Sequence, residues 1–264
     1  RYWENFWNVS YIYVTGASDA YEITRGYILQ RYMNGCAGRG LPIKFNGSIF
    51  NVAEKDGYST PDYRLWGGGY WWQNTRLIYW PMLASGDFEL MKPLFKMYSD
   101  ELQNAIDAMS EGMGYVGAAL FEEGSSFGKG TYRTQIDNNG DNAGPALHAY
   151  YQIMELSSLM LKDYEYTGVS AFLKDEAIPM AQAGLNFYYQ NFSRDLSGKL
   201  NMYPTDGLET YYNTTNSLVE VAAIRENLQM LLDLPVSETT AAQRAQWEEM
   251  LSAAPDIPTR LNSD

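Results

Sequence analysis

Two residue types that carry much of enzyme chemistry are almost missing from this chain: there is one cysteine, Cys36, and one histidine, His148. A lone cysteine excludes a disulfide framework and a cysteine-built metal site. A lone histidine excludes histidine-rich zinc centres, and any Ser–His–Asp triad would have to use His148, which no nucleophile-elbow motif accompanies. Positive charge is scarce too, with 19 Lys and Arg against 32 Asp and Glu, a formal net charge of −13. No basic stripe is left to neutralise phosphates, so nucleic acid is excluded as a partner, and so are anionic membrane surfaces. No apolar run approaches the roughly 18 residues of a helical membrane span. The Asp-Asp-x-x-Asp motif of metal-dependent terpene cyclisation is absent, and no metal or other cofactor is expected. The chain opens on Arg1-Tyr2-Trp3 with neither initiator methionine nor signal peptide, and is read as part of a longer polypeptide.

Aromatic residues are what the chain has in excess. Its 22 Tyr, 10 Phe and 7 Trp make up 15% of the residues. Many must be core, but this number also suits a wide cavity walled by rings, on which sugars stack their C–H faces. Sequons at Asn8, Asn46, Asn191 and Asn213, with the acidic composition, point to a secreted or periplasmic protein.

The dominant period is helical, which makes the fold class all-α. From Phe88 the apolar positions Met91, Leu94, Phe95, Tyr98, Leu102, Ile106 and Met109 form one face of a long helix, with Asp87 at its N-cap. Further helices are expected at Tyr21–Asn34, Tyr70–Ala84, Ala146–Tyr164, Asp175–Gln190, Asn216–Leu232 and Thr239–Ala253. Gly35, Gly86, Gly168, Gly198 and Pro235 punctuate them, a pattern of stacked helical hairpins. No composition break marks a second domain, so residues 1–264 are read as one. Two aromatic and glycine-rich stretches, Leu41–Gly69 and Gly112–Ala143, are too long for plain connections, and short strand pairing is expected inside them.

Four constellations carry chemistry. Trp66 is followed by three glycines and Tyr70-Trp71-Trp72-Gln73-Asn74, with Arg76 close behind. The glycines let backbone approach a ligand, while Gln73 and Asn74 suit sugar hydroxyls or a held water; the competing reading is a buried aromatic helix after a turn. Glu122 and Glu123 follow Phe121 in the second long loop, either as plain solvated carboxylates or as an acid raised by desolvation among rings. Asp206 and Glu209, set among Tyr203, Tyr211 and Tyr212, can bind hydroxyls or supply a second carboxylate, and Asn216 reads as the N-cap of the next helix. His148, Gln152 and Glu155 share one helix face, either lining a cavity or forming a solvated stripe.

With those residues in view, the chain resembles the catalytic domain of glycoside hydrolase family 95 and its relatives among the six-hairpin glycosidases. The resemblance rests on Gly40-Leu41-Pro42-Ile43-Lys44-Phe45-Asn46-Gly47, the Trp66-Gly67…Tyr79-Trp80-Pro81 block, Ala84-Ser85-Gly86-Asp87, and Glu155-Leu156…Tyr164-Glu165-Tyr166-Thr167-Gly168. It implies an (α/α)6 toroid of helical hairpins and an oligosaccharide or polysaccharide substrate. It also implies Glu123 as general acid, with Glu122 as the one-residue alternative, and Asn74 as the amide that positions the attacking water. The family's Asn-x-Asn is here Trp72-Gln73-Asn74, and its Ser-Pro-Glu-Asn loop is here Phe121-Glu122-Glu123-Gly124. A closed toroid needs about twelve helices and seven are read here, so the chain is expected to hold part of a catalytic domain, with the general base beyond residue 264.

The reading is therefore an inverting, exo-acting glycosidase for a small terminal sugar of the fucoside, galactoside or rhamnoside kind, on a glycan or plant polysaccharide. Glu123, Asn74 and Glu122 are its catalytic candidates. Trp66, Tyr70, Trp71, Trp72, Gln73, Arg76, His148, Asp206 and Glu209 are its substrate-binding candidates. The competing reading is a carbohydrate-binding or structural helical protein without catalysis.

Overall fold

The computed structural model describes residues 1–44, 69–121, 148–207 and 211–259. These are mostly helical, with a single two-stranded hairpin among the described residues. The chain divides into two compact units, and the division falls within one long helix, after Tyr98.

The first unit holds α1 (Tyr2–Val9), α2 (Ala20–Ala37), α3 (Trp72–Ser85) and the start of α4 (Phe88–Met113). Helix α1 was not anticipated. Gly35 does not end α2 but lies inside it, because a Cβ there would come 2.9 Å from Phe6 Cζ of α1. Close packing, not chain reversal, fixes that glycine. Gly86 does end α3 as expected, in the left-handed conformation at φ 71°, with its N–H bonded to the Met82 carbonyl. Asp87 stands just before α4, and its carboxylate also binds the Arg31 guanidinium (2.9 and 2.5 Å) and Ser85 Oγ (2.7 Å). Ile43, in the Leu41–Lys44 segment, is buried and donates its amide to the Tyr79 hydroxyl at 2.7 Å, pinning that segment to α3.

The second unit is organised around α5 (Gln152–Thr167), which packs on a π-helical segment (Leu173–Ala177), on α7 (Ile178–Asn191) and on α8 (Leu218–Asp233). A short α6 (Ser170–Phe172) leads into the π segment, and α9 (Ala241–Ala253) packs on α8. Thr240 caps α9 through a capping box with Gln243. Strands β1 (Ser193–Arg194) and β2 (Leu200–Asn201) form the hairpin, closed at Gly198 with φ 83°. The two long stretches where strand pairing was expected fall largely outside the described residues. Among the described residues no helix is long and apolar enough to cross a membrane.

Helices α5 and α7 approach closely at Gly184, where a Cβ would lie 2.6 Å from Met154 Sδ and 3.1 Å from Ile153 Cγ2. Gly184→Ala is expected to lower stability by about 1–3 kcal/mol despite alanine's better helix propensity, since the overlap must push the helices apart. Urea denaturation checks this, and a midpoint raised by the substitution would contradict the packing argument.

Candidate functional site

In the second unit, residues 203–207 and 211–217 lie between β2 and α8 and are tied to each other. The Tyr203–Pro204 peptide is cis, and Thr205 pairs with Thr214 through backbone bonds of 2.9 and 2.7 Å. Asn216 adopts φ 51°, a region its short amide side chain tolerates, and accepts the Met202 amide on Oδ1 at 2.8 Å. It is therefore not the cap of α8: Ser217 occupies that position.

The first of these runs carries Asp206. Its side chain is nearly fully buried, and its Oδ1 accepts the Asn213 amide at 2.8 Å while Oδ2 accepts the His148 amide at 2.8 Å. The Asp206 amide returns a bond to the His148 carbonyl at 3.0 Å. His148 Nδ1 stands 3.6 Å from Asp206 Oδ2, with the imidazole partly exposed. Two sequence-selected residues separated by 58 positions are thus brought together.

The same bonds correct the reading of the helix that follows. His148 lies ahead of α5 and shares no helical stripe with Gln152 and Glu155, because its backbone is engaged by Asp206 and the Tyr150 amide by Glu220, so helical bonding begins only at Gln152.

Glu220 is the group that the sequence reading missed. It lies in the first turn of α8, fully buried, and takes the Tyr150 amide on Oε1 at 2.8 Å and the Tyr188 hydroxyl of α7 on Oε2. Burial pushes its carboxyl up to about 7 and the Asp206 charge acts the same way, against the Tyr188 hydroxyl and the Tyr150 and Tyr151 amides that favour the ionised form. Burial and the Glu220 charge also hold the Tyr188 and Tyr150 phenols above their ordinary range. The Tyr150 ring is seated against Phe187 at 5.0 Å and Phe192 at 5.8 Å. One signal was available: Glu220 interrupts the apolar stripe of Val221, Ile224, Leu228 and Leu231, and a carboxylate on a buried helix face needs a partner.

Residues 115–121, which lead to the acid candidates, run along α7. Ala119 donates to the Ala183 carbonyl at 3.1 Å, Asn186 Nδ2 to the Gly117 carbonyl at 2.9 Å, and Phe121 is buried. Glu122 and Glu123 themselves, like Trp66 and Glu209, lie outside the described residues.

The aromatic block belongs to the first unit. Tyr70 and Trp72 are 6% and 2% exposed, and Trp72 meets Tyr98 edge-on at 6.1 Å, so both rings serve the core there. Trp71, Gln73, Asn74 and Arg76 are half-buried around the first turn of α3. Arg76 Nε donates to the Gln73 carbonyl at 3.1 Å, and the Asn74 and Thr75 amides bond the Trp71 carbonyl. Among the described substrate-site candidates of the block, Trp71, Gln73, Asn74 and Arg76 are the partly accessible ones.

Compared with known proteins, the chain matches no family model and no curated relative.

Proposed function

We propose that the chain is the helical, catalytic part of an inverting glycosidase that removes a small terminal sugar from an oligosaccharide or polysaccharide, as a portion of an (α/α)6 toroid. The observation that carries this reading is the His148–Asp206 pair. A buried carboxylate, fixed by two backbone amides, stands beside a partly exposed imidazole, the only one in the chain. Such an imidazole edge is a directional partner for sugar hydroxyls, and exposed tyrosines near Asp206 in sequence offer apolar faces for a sugar ring. Tyr203, Tyr211 and Tyr212 are exposed there, at 58%, 62% and 46%.

The chemistry that the family resemblance implies is a single displacement, with Glu123 as the donor to the departing glycosidic oxygen, Glu122 as the alternative donor and Asn74 as the amide that orients the attacking water. Trp71, Gln73 and Arg76 contribute stacking and hydroxyl contacts. A secreted or periplasmic setting fits such a substrate.

Glu123→Gln in the full-length protein tests the assignment. Turnover of aryl glycosides is expected to fall by about a hundredfold while binding of the free sugar persists. Undiminished turnover would sink Glu123 as the acid, and the same result with Glu122→Gln would remove the catalytic reading. Loss of sugar binding on His148→Ala is the matching expectation for the pair.

A further inference from the structure

Glu220 reaches no solvent, yet it is tied to the pair proposed to meet the sugar. Two carboxylates grip the chain just before α5 at alternate residues: Asp206 takes the amide of His148 and Glu220 takes the amide of Tyr150, both at 2.8 Å. The second oxygen of Glu220 is held by the Tyr188 hydroxyl, so α7 and α8 together fix where residues 148–150 lie. The His148 and Tyr150 rings stand 6.3 Å apart, and the Tyr150 ring in turn leans on Phe187 and Phe192. Any rearrangement at Glu220 therefore passes through one residue to the imidazole.

We propose that Glu220 is a positioning residue: it holds residues 148–150 in the non-helical form in which His148 meets Asp206, and thereby sets the orientation of the imidazole. The importance of that orientation for turnover rests on the glycosidase reading above; the coupling itself does not. Two hydrogen bonds depend on the charge state of Glu220. As a carboxylate it accepts from both Tyr150 N–H and Tyr188 O–H, whereas the protonated acid gives up one acceptor site to a donor that Tyr188 must receive. The titratable groups facing it are Tyr188 on α7, Tyr150 and Tyr151 ahead of α5, and Asp206 between β2 and α8, and none of the four is a cation. Burial, with no cation among these groups to offset it, raises its carboxyl to about 7, a range in which the consequence is measurable.

Because His148 is the only histidine, its imidazole Cε1–H signal is identified in the whole protein without assignment. In wild type we expect that signal to show a step that follows Glu220, near the value of about 7 to which burial raises its carboxyl. Glu220→Gln, which preserves size and the bond to the Tyr150 amide, is expected to remove that step. Tyr188→Phe is expected to move it to higher pH, since the hydroxyl favours the ionised carboxyl. An imidazole signal with the same pH course in wild type and Glu220→Gln overturns the proposal. If Glu220→Gln loses its helical circular dichroism, Tyr188→Phe decides: a displaced step supports the coupling and an unmoved one overturns it. On a glycoside that the enzyme turns over, Glu220→Gln should also remove a limb of the kcat/KM profile. The coupling present without glycoside turnover would leave Glu220 as a positioning residue and remove the sugar-cleaving reading, so the two fail separately.

Discussion

Arg31→Met is expected to lower stability by about 3–5 kcal/mol, the characteristic cost of leaving one partner of a buried ion pair alone. Arg31 and Asp87 are both nearly fully buried, with side chains 4% and 5% exposed, and they bond through Nε–Oδ2 at 2.9 Å and Nη2–Oδ1 at 2.5 Å. The guanidinium does more than neutralise a carboxylate. Nη1 donates to the Ser10 carbonyl and Nη2 to the Phe6 carbonyl, both at 2.7 Å, satisfying the C-terminal end of α1 and the residue after it. Its Cζ lies 4.0 Å from the Phe6 ring centroid and 5.2 Å from that of Trp7. One side chain thus joins α1, α2 and the start of α4. Methionine is unbranched like arginine but offers no donor, so the Phe6 and Ser10 carbonyls lose this donor and the Asp87 carboxylate loses its cation, keeping the bond from Ser85 Oγ.

Three variants separate these contributions. Arg31→Lys keeps the charge but loses the planar fork, and is expected to fall between wild type and Arg31→Met. Adding Asp87→Asn to Arg31→Met removes the stranded charge and should restore part of the loss, while the carbonyls of Phe6 and Ser10 stay unpaired. Thermal melting reads the series, with a drop on the order of 15 °C for Arg31→Met if the first unit melts as a domain of its size. Wild-type melting of Arg31→Met would show that the pair contributes nothing net, as exchange for well-packed apolar groups sometimes does.

The sequence shows some of this directly and conceals the rest for identifiable reasons. The apolar face Met91–Met109 is legible because a long helix buries one stripe, and α4 runs Phe88–Met113 around it. Gly86 and Gly168 end their helices in the left-handed conformation, which glycine adopts at no steric cost. The Thr240–Gln243 capping box is a local pattern and was open to the same reading. What escaped is long-range. Gly35 does not stop α2, because Phe6 needs the space above it. The start of α5 is set by carboxylates that lie 58 and 70 residues further along the chain. His148 and Asp206 were picked for their chemistry alone, with nothing in their spacing to join them. Glu220 was visible as a carboxylate on an apolar stripe, but its partners Tyr188 and Tyr150 come from other elements, which no local window contains.

Stability should also fall as pH rises through neutrality, and Glu220 should account for the fall. The carboxyl is raised to about 7 in the folded chain against an ordinary value of 4.5. The folded state therefore binds this proton more tightly than the unfolded state, and the derivative of stability with pH is negative between those two values. The contribution is fully present below about pH 4.5 and is lost as pH climbs through about 7, an effect on the order of 3 kcal/mol for a shift of this size in a fully buried group. For a unit of this length that corresponds to a fall in Tm of roughly 5–10 °C between mildly acid and mildly alkaline buffer. Asp195 and Glu238 run the other way. Their carboxyls are held below the ordinary range, by Ser197 and by Lys174 respectively, so the stability they contribute is lost only as pH drops into the acid range. The two directions therefore occupy different pH windows. Glu220→Gln keeps the acceptor for the Tyr150 amide but carries no proton to lose, so its Tm should stay nearly level where that of wild type declines. Subtracting the two curves at each pH removes every other titrating group. Parallel curves across the neutral range would mean that Glu220 is not the group responsible, and would place the decline, if wild type still shows one, elsewhere in the chain.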